Sequence, residues 1–388
     1  MNRRILLSLY LFLLLAVVSA CTEVKKEPVR FATFNAALNR LEKGMLLKDL
    51  SLGCQQAKNV ASIIQITRPD VLCLQEFDFD ASGEALEVFM TKYLQSGDHP
   101  IEYPYHMLFT SNTGVLSKSD INNDGKLSLP SDGYGFGAFE GQYAFVILSK
   151  YPIMKDDVRT FQNMKWEQMP DPNWPVSPDG ISWFNDEEKK DLRISSKNHV
   201  DVPIDIDGHI VHAIIAHPTP PVFDGKEDRN GRRNFDEIRM IKDYVEGADY
   251  MVDDKGSRGA LGANASFVIM GDMNADPYDG DSYRSAIVPL LKSQRLNSSV
   301  TFGDKVPKSL GAVEFNKKMK YNHKGDDAMD TNVFGLRIDY VLPSSDLNVL
   351  ESRVYWNEKK HKDGTLTFNK NSSDHRMVWA DIQFSDDH

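Results

Sequence analysis

Cysteine is scarce in this chain, whose 388 residues include only Cys21, Cys54 and Cys73. A framework of several disulfides therefore cannot hold the fold together, although one bond between Cys54 and Cys73 stays open in an exported protein. Cys73 lies in the apolar run VLCLQE, a setting that favours a small core residue.

Positive charge is also in deficit. The formal net charge is −11 at pH 7, with 45 Lys and Arg residues against 56 Asp and Glu residues. This balance disfavours a protein that coats nucleic acid by charge alone. It is compatible with an enzyme that holds a few phosphate groups through a bound cation.

Long apolar runs are absent except at the N-terminus. One run extends from Ile5 to Val18, directly after Arg3 and Arg4. It has the length of a signal-peptide core and is shorter than the ~20 residues that span a bilayer. It ends in Val18-Ser19-Ala20-Cys21, which resembles a bacterial lipobox.

We therefore predict a lipoprotein signal peptide at residues 1–20, a lipid on Cys21, a tether over 21–29 and a folded domain over 30–388. The lipobox implies export and membrane attachment through this lipid at the bacterial cell envelope, on its periplasmic or surface side. An ordinary signal peptide with an incidental cysteine is the alternative.

Short apolar runs alternate with segments of helical periodicity through the rest of the chain. Such alternation, mixed with a hairpin at Asp207-Gly208, predicts an α/β or α+β sandwich and not an all-parallel wound sheet. The predicted strands are Val29–Phe34, Val71–Leu74, Val200–Ile206, His209–Ala216, Phe267–Met270, Ile338–Leu342 and Met377–Ile382. The predicted helices are Gly53–Thr67, Glu84–Leu94, Asn234–Val245 and Ser282–Leu291.

Between Met154 and Arg193 the pattern gives way to Trp, Pro and Asp. A loop of this length in a compact domain is uncommon without a function, so we interpret it as an ordered loop or lid. Its tryptophan-rich part, Trp166 to Phe184, is suited to contact lipid or to cover a small pocket.

Polar side chains follow several of the predicted strands where each strand ends. They are Asn35 after RFAT, Glu76 after DVLCL, Asp272 and Asn274 after FVIM, and Asp374 before His375. Asp339 lies within the apolar run RIDYVL. Carboxylates held at the ends of buried strands and converging on one cleft form an oxygen-rich site, which suits Mg²⁺ or Mn²⁺. The sequence therefore predicts a metal-dependent phosphoester hydrolase.

Six segments carry a family resemblance: FNAALN, DVLCLQE, AHPTPP, GDMNADP, RIDYVL and SSDHRMV, in this order. Together they resemble the endonuclease/exonuclease/phosphatase superfamily, which includes deoxyribonucleases, abasic-site endonucleases, sphingomyelinases and inositol-polyphosphate phosphatases. The match extends from Arg30 to Phe384. It implies a four-layer sandwich, in which two mixed sheets lie face to face with helices outside.

The resemblance assigns the metal ligands. Glu76 is expected to be the principal ligand, Asn35 to bind the same ion or a phosphate oxygen, and Asp374 to be a second carboxylate ligand. A surface acid and a turn asparagine are the structural alternatives for Glu76 and Asn35.

The resemblance also assigns the acid–base groups. Asp272 is expected to orient or deprotonate the attacking water while Asn274 holds a phosphate oxygen, and an Asx turn is the alternative for this segment. Asp339 would fix the tautomer of His375, and His217 would stabilise the phosphoryl oxygens. Asp272 and His375 both stay open as the general base.

Two basic segments are candidates for phosphate capture. Their residues are Arg193, Lys197, Asn198 and His199 in the first segment and Arg232 and Arg233 in the second. The alternative is a solvated helix start, with Asp224, Glu227 and Asp228 as compensating acids.

The segment DINNDGKLSLPSD resembles the start of an EF-hand loop, with Asp120, Asn122 and Asp124 at ligand positions. Ser131 stands where a bidentate acid is expected. Structural Ca²⁺ and a polar turn are the two interpretations.

The leading prediction is thus a nuclease-like phosphodiesterase. A phosphatase or phospholipid-headgroup esterase and a non-catalytic binding protein are the alternatives. The substrate would be a nucleic acid or a small or lipid phosphoester, and the sequence indicates no protein partner.

Overall fold

The structure is a computed structural model that describes residues 27–368 and 372–384. The predicted signal peptide, Cys21 and most of the predicted tether lie outside these residues. Within them, no helix is both long and apolar enough to cross a bilayer. Cys54 and Cys73 are both free, and Cys73 is buried as predicted.

Within the described residues the strands form a six-stranded and a five-stranded sheet. The strands are β1 (Val29–Leu38), β2 (Val71–Phe77), β3 (Tyr105–Phe109), β4 (Phe145–Ser149), β5 (Arg159–Thr160), β6 (His199–Ile206), β7 (His209–Ala216), β8 (Ser266–Asp272), β9 (Asp339–Pro343), β10 (Asn348–Val354) and β11 (Val378–Gln383). The strand order is β10-β11-β1-β2-β4-β3 in the first sheet and β5-β6-β7-β8-β9 in the second. Each sheet mixes parallel and antiparallel pairs.

Helices pack outside the sheets. They are α1 (Met45–Leu52), α2 (Gln55–Thr67), α3 (Glu84–Phe89), α4 (Asp186–Asp191), α5 (Arg229–Glu246), α6 (Arg284–Leu291), α7 (Ser298–Thr301), α8 (Leu310–Met319) and α9 (Gly364–Phe368). A π-helical turn, Met90–Leu94, continues α3, and single 3₁₀ turns occupy Lys155–Asp157, Trp166–Gln168 and Asp327–Met329.

Strand β1 shows why the sheets stack. Its alternate residues Val29 and Phe31 pack with strands of the second sheet, whereas Ala32 and Phe34 pack with the helices on the other side. Because both faces are buried, the strand is apolar at nearly every position. The predicted α/β sandwich of two mixed sheets with flanking helices is confirmed.

The predicted hairpin is confirmed with its turn. Asp207 and Gly208 join β6 to β7, and both have positive φ angles, 52° and 95°. Such a turn matches the twist of the paired strands. Helix α1 was not predicted, because its eight residues provide only two buried positions, Leu46 and Leu50.

The long loop after Met154 is ordered against the second sheet. Trp166 and Phe184 are each 2% exposed, and the Trp166 indole donates to Asp236 Oδ2 at 2.6 Å. These two aromatic side chains belong to the core and do not contact lipid, whereas Ile181 in the same segment is 65% exposed, so lipid contact by the segment stays a prediction.

Strand directions bring the polar strand ends together. β1 and β2 run parallel, with Asn35 beside Gln75. β8 and β9 run antiparallel, with Asp272 beside Asp339. The C-terminal ends of three strands and the start of β9 therefore meet at one edge of the sandwich.

Candidate active site

Asn35 joins the two sheets at this edge. Its Nδ2 atom donates to Glu76 Oε1 and to Asp272 Oδ2, at 3.1 Å each. Glu76 Oε2 accepts a further hydrogen bond from Asn39 Nδ2 at 2.7 Å. Two carboxylates thus converge on one amide nitrogen.

Nearby residues on either side of Asp272 in the chain, Gly271 and Asn274, help to fix its position. A Cβ atom on Gly271 would lie 1.9 Å from the carbonyl oxygen of Ala216, so only glycine lets β8 approach the end of β7 this closely. Asp272 Oδ1 accepts from the backbone N of Asn274 at 2.9 Å. Its Oδ2 lies 3.5 Å from Nε2 of His217.

Glu76 and Asn274 both have positive φ angles, 57° and 50°. This backbone region is uncommon for residues other than glycine, and such residues cluster at functional sites. Here each turns the chain at the end of a strand.

His375 bridges two carboxylates. Its Nδ1 lies 2.9 Å from Asp339 Oδ2, and its Nε2 lies 3.7 Å from Asp272 Oδ2. Thr331 Oγ1 donates to Asp339 Oδ2 at 2.6 Å and fixes that carboxylate. A proton on Nδ1 therefore points at Asp339, and Nε2 faces the site.

The segment that carries His375 is tied to β1. Ser373 Oγ donates to the carbonyl oxygen of Asn35 at 2.6 Å and accepts from the backbone N of His375 at 3.0 Å. Asp374 is half-buried between them.

Burial and nearby charges give Asp272, His375 and His217 different pKa values. Burial raises the pKa of Asp272 to about 7. Burial alone would lower the pKa of His375, but Asp339 and Asp272 raise it to about 10. Burial holds the pKa of His217 well below its ordinary value. At neutral pH, before any metal binds, His375 is thus cationic and His217 neutral.

The residues present fit a divalent cation. Burial raises the pKa of Glu76, and the nearby charge of Asp374 raises it further. Such crowding of carboxylates is unfavourable until a cation neutralises it. The ligand atoms of Asp272, Asp339 and His375 also lie within 4.8 Å of one another. Oxygen ligands dominate this group, which suits Mg²⁺ or Mn²⁺.

Lys197 faces the same cleft. Its side chain is 6% exposed, and burial lowers its pKa while the charges of Glu237, Glu76 and Asp272 act in the opposite direction. Asn198 Oδ1 and His217 Nδ1 are buried atoms without a hydrogen-bond partner among the described residues. Buried polar atoms without partners call for a ligand or water, so this side of the cleft fits a polar ligand.

Four other predicted phosphate-binding residues make different contacts. Arg193 donates to Asn112 Oδ1, Arg232 to Asn173 Oδ1, and Arg233 to the carbonyl oxygens of Arg193 and Ile194. His199 contacts Ser195 Oγ at 2.6 Å and the carbonyl oxygen of Glu237 at 3.2 Å. These contacts hold loops in place, while Arg193 Nε and Arg232 Nε are buried without a hydrogen-bond partner among the described residues. Phosphate binding by these four residues stays a prediction.

The predicted calcium loop is a compact turn. Asp120 accepts from the backbone N of Asp124 at 3.1 Å and from that of Gly125 at 2.7 Å, and the Asn122 and Asp124 side chains contact each other at 3.2 Å. Buried Asp132 accepts from the backbone N of Ile121 at 2.8 Å. Calcium binding there stays a prediction.

Sequence reasoning missed several residues around the site. Asn39 and Thr331 hold Glu76 and Asp339, as described above. Asn39 lies in FNAALN, one of the six segments that carry the family resemblance, whereas Thr331 lies in none of them. A separate group of side chains whose potential ligand atoms lie within 4.8 Å of one another, His323, Asp327 and Asp330, was also missed.

The family assignment follows from comparison with known proteins. Residues 32–375 match the Endonuclease/Exonuclease/phosphatase family. The chain belongs to this family. Members are hydrolases of phosphoester bonds and typically depend on divalent metals. Comparison with curated protein sequences gives no significant match.

Among solved structures, an endonuclease/exonuclease/phosphatase from Beutenbergia cavernae DSM 12333 is similar with a TM-score of 0.52 at 16% identity, over 93% of this chain and 72% of that chain. A family protein from Leptotrichia buccalis C-1013-b has a TM-score of 0.47 at 16% identity, over 92% of this chain and 100% of its own. Sphingomyelinase C from Streptomyces griseocarneus has a TM-score of 0.46 at 15% identity, over 92% and 99%. At these identities the first likeness supports the Endonuclease/Exonuclease/phosphatase fold and does not specify a substrate.

Proposed function

We propose that this chain is a divalent-metal-dependent phosphodiesterase of the nuclease type, in which water attacks a metal-bound phosphate. The observation that carries the proposal is the convergence of Glu76 and Asp272 on Asn35, with the nearest nitrogen of His375 3.7 Å from Asp272. These residues provide acid, base and oxygen ligands within one cleft.

Glu76, Asn35 and Asp374 would hold the metal, as the family resemblance implies. When bound, Mg²⁺ or Mn²⁺ polarises a phosphoryl group and neutralises the charge that develops on its oxygens. The crowded carboxylates described above are the feature of this chain that such an ion would relieve.

We assign the general base to Asp272. Its carboxylate is oriented by Asn35 and by the backbone of Asn274, and its raised pKa suits proton transfer near neutral pH. His375, cationic beside Asp339, would then stabilise the phosphoryl oxygens and supply a proton to the leaving oxygen.

Phosphate contacts fall to Lys197, Asn198, His217 and Asn274. Lys197 supplies a buried positive charge, and His217 presents Nδ1 without another partner. The unpaired Oδ1 of Asn198 is an acceptor, so Asn198 would contact phosphate through Nδ2, which also donates to the Thr110 carbonyl oxygen at 3.1 Å. Asn274 Nδ2 already donates to the carbonyl oxygen of Pro218 at 3.1 Å, which fixes the orientation of its amide.

A phospholipid-headgroup esterase is the second candidate. Four apolar side chains are exposed: Leu41 by 85%, Phe136 by 65%, Phe223 by 89% and Phe334 by 54%; Leu41 follows Asn39 and Phe223 follows His217 in the chain. The Phe334 ring centre lies 6.4 Å from that of His375. Exposed apolar groups around a phosphoester site fit a lipid surface, and a lipid anchor on Cys21 at the cell envelope would place the enzyme near one.

The decisive experiment uses the purified full-length chain with supercoiled plasmid and Mg²⁺, Mn²⁺ or EDTA. Asp272→Asn is compared with Asp253→Asn, which alters a buried carboxylate that contacts Arg159 and the backbone N of Ser257. Metal-dependent nicking that only Asp272→Asn abolishes supports the nuclease. Hydrolysis of phospholipid vesicles without nicking selects the second candidate. No hydrolysis of any phosphoester with either metal contradicts the proposal.

A further inference from the structure

Helix α5 presents two buried polar residues to the rear of the cleft. Asn234 and Glu237 are fully buried and lie three positions apart, so they share one face of the helix. Most of the other buried residues on this helix are apolar. Two polar groups at such positions require specific partners.

Glu237 accepts hydrogen bonds from two loops. Its Oε1 accepts from the backbone N of Ser196 at 2.7 Å and from Ser196 Oγ at 2.8 Å. Its Oε2 accepts from the backbone N of Thr219 at 2.6 Å. Since both oxygens face donors, a glutamine here would turn its own N–H₂ group against one of them.

Asn234 adds a third loop. Its Nδ2 donates to the carbonyl oxygen of Thr219 at 2.9 Å and to that of Met273 at 3.0 Å. Together, the two side chains contact the backbone of three separate segments that end at the cleft.

Each residue that these two side chains contact lies within two positions of a site residue in the sequence. Ser196 precedes Lys197, and Thr219 follows His217 by two positions. Met273 lies between Asp272 and Asn274. The atoms that α5 holds are mainly backbone atoms, so they set where these loops run.

We propose that Glu237 and Asn234 are positioning residues, which hold Lys197, His217 and Asn274 in register around the substrate phosphate. The inference rests on the proposed function, because it names the groups that align its phosphate-binding side. Neither residue reaches the metal ligands Glu76 or Asp374.

The test compares Glu237→Gln with Asp236→Asn in the full-length chain. Asp236 is an equally buried carboxylate on the same helix, but it accepts from the Trp166 indole and the backbone N of Asn173, at 2.6 Å each, and contacts none of the three loops. Both variants lose a buried charge, so both are expected to melt at lower temperature.

The readouts are kcat and KM for bis(p-nitrophenyl) phosphate, inhibition by inorganic phosphate, and Mn²⁺ affinity. Glu237→Gln is expected to lower kcat/KM by about 10- to 100-fold, because a small displacement of catalytic groups has effects of this size. We expect weaker phosphate inhibition and unchanged Mn²⁺ affinity. Asp236→Asn should keep kcat/KM, measured below its melting temperature.

A milder variant covers the case in which Glu237→Gln does not fold. Ser196→Ala removes one donor to Glu237 and should lower kcat/KM by about 5-fold with wild-type Mn²⁺ affinity. Equal kcat/KM in wild type, Glu237→Gln and Ser196→Ala would overturn the inference and leave the proposed function standing. An inactive wild-type enzyme would instead refute the proposed function.

Discussion

Asp272 and Asp339 lie directly opposite each other on the antiparallel strands β8 and β9. The imidazole of His375 lies between their carboxylates, closer to Asp339 than to Asp272. This register puts one carboxylate in direct contact with the histidine, and in the proposed mechanism the other carboxylate serves as the general base. The roles of two chemically identical groups are therefore separated by position.

Asp339→Asn should uncouple His375 from its partner. An amide cannot stabilise the charged imidazole, so the pKa of His375, raised to about 10 in the wild type, should fall towards its ordinary value. We expect kcat/KM to fall by at least about 100-fold, as in other sites where an acid fixes a histidine tautomer. NMR titration of the metal-free protein measures the pKa. A His375 pKa that does not move would show that Asp339 does not control it.

Glu76→Gln should weaken metal binding. Glu76 is the proposed principal ligand, and a neutral amide is a poorer ligand for a hard cation. Mn²⁺ affinity, measured from the EPR signal of free Mn²⁺, should fall by at least about 10-fold. Asp253→Asn serves as the control. Full Mn²⁺ affinity in Glu76→Gln would exclude this residue as a ligand.

The stability of the metal-free protein should fall as pH rises. Burial raises the pKa of Asp272 to about 7 in the folded state. Such a group stabilises the fold below its unfolded pKa, about 3.9, and loses this contribution as the pH rises through its folded pKa. Asp272→Asn lacks the effect.

Urea unfolding in EDTA between about pH 5 and about pH 8 measures this contribution. As pH rises, the free energy of unfolding of the wild type should fall relative to that of Asp272→Asn. A constant difference between the two proteins would contradict the raised pKa.

Gly271→Ala should destabilise the fold and inactivate the enzyme. The new Cβ would meet the Ala216 carbonyl oxygen at 1.9 Å, which forces β8 away from β7 and moves Asp272. We expect a loss of about 3 kcal/mol in the free energy of unfolding. At Gly262 a Cβ has no atom within 4 Å, so Gly262→Ala should change stability by less than about 1 kcal/mol. Equal effects of the two substitutions would show that the close approach is unimportant.

Phe223→Ser tests the second candidate function. Phe223 is 89% exposed on the loop after His217, so its loss should reduce binding to phospholipid vesicles without affecting hydrolysis of a soluble phosphodiester. Leu310, 69% exposed at the start of α8, provides the control Leu310→Ser. Unchanged vesicle binding, measured by co-sedimentation, would argue against a lipid-facing rim.

The sequence was sufficient to predict where several strands end and which polar side chains lie at those ends. Glu76 and Asp272 follow continuous apolar runs, and such runs are long enough to define a buried strand without tertiary information. The motif GDMN carried both the glycine that the packing requires and the carboxylate that it positions. The predicted sandwich was confirmed for the same reason.

Arginine contacts could not be predicted in this way. Arg193 and Arg233 occur in basic segments near the cleft, yet they donate to Asn112 and to backbone carbonyl groups. Sequence gives the charge of a guanidinium group but not the direction in which it points. Glu237 illustrates the converse, because an acid in the middle of a polar-looking helix becomes a buried acceptor only once two loops have packed against it.

The hydrogen bond from Asn35 to Asp272 links residues 237 positions apart and belonging to different sheets. In the proposed mechanism the metal ligands Asn35 and Glu76 lie on the first sheet and Asp272 and Asp339 on the second, so neither sheet alone would contain the whole centre. The proposed catalytic activity would consequently require the two sheets to be docked. An enzyme assay during refolding would therefore detect the docking of the two sheets, which spectroscopic probes of the individual sheets would not resolve.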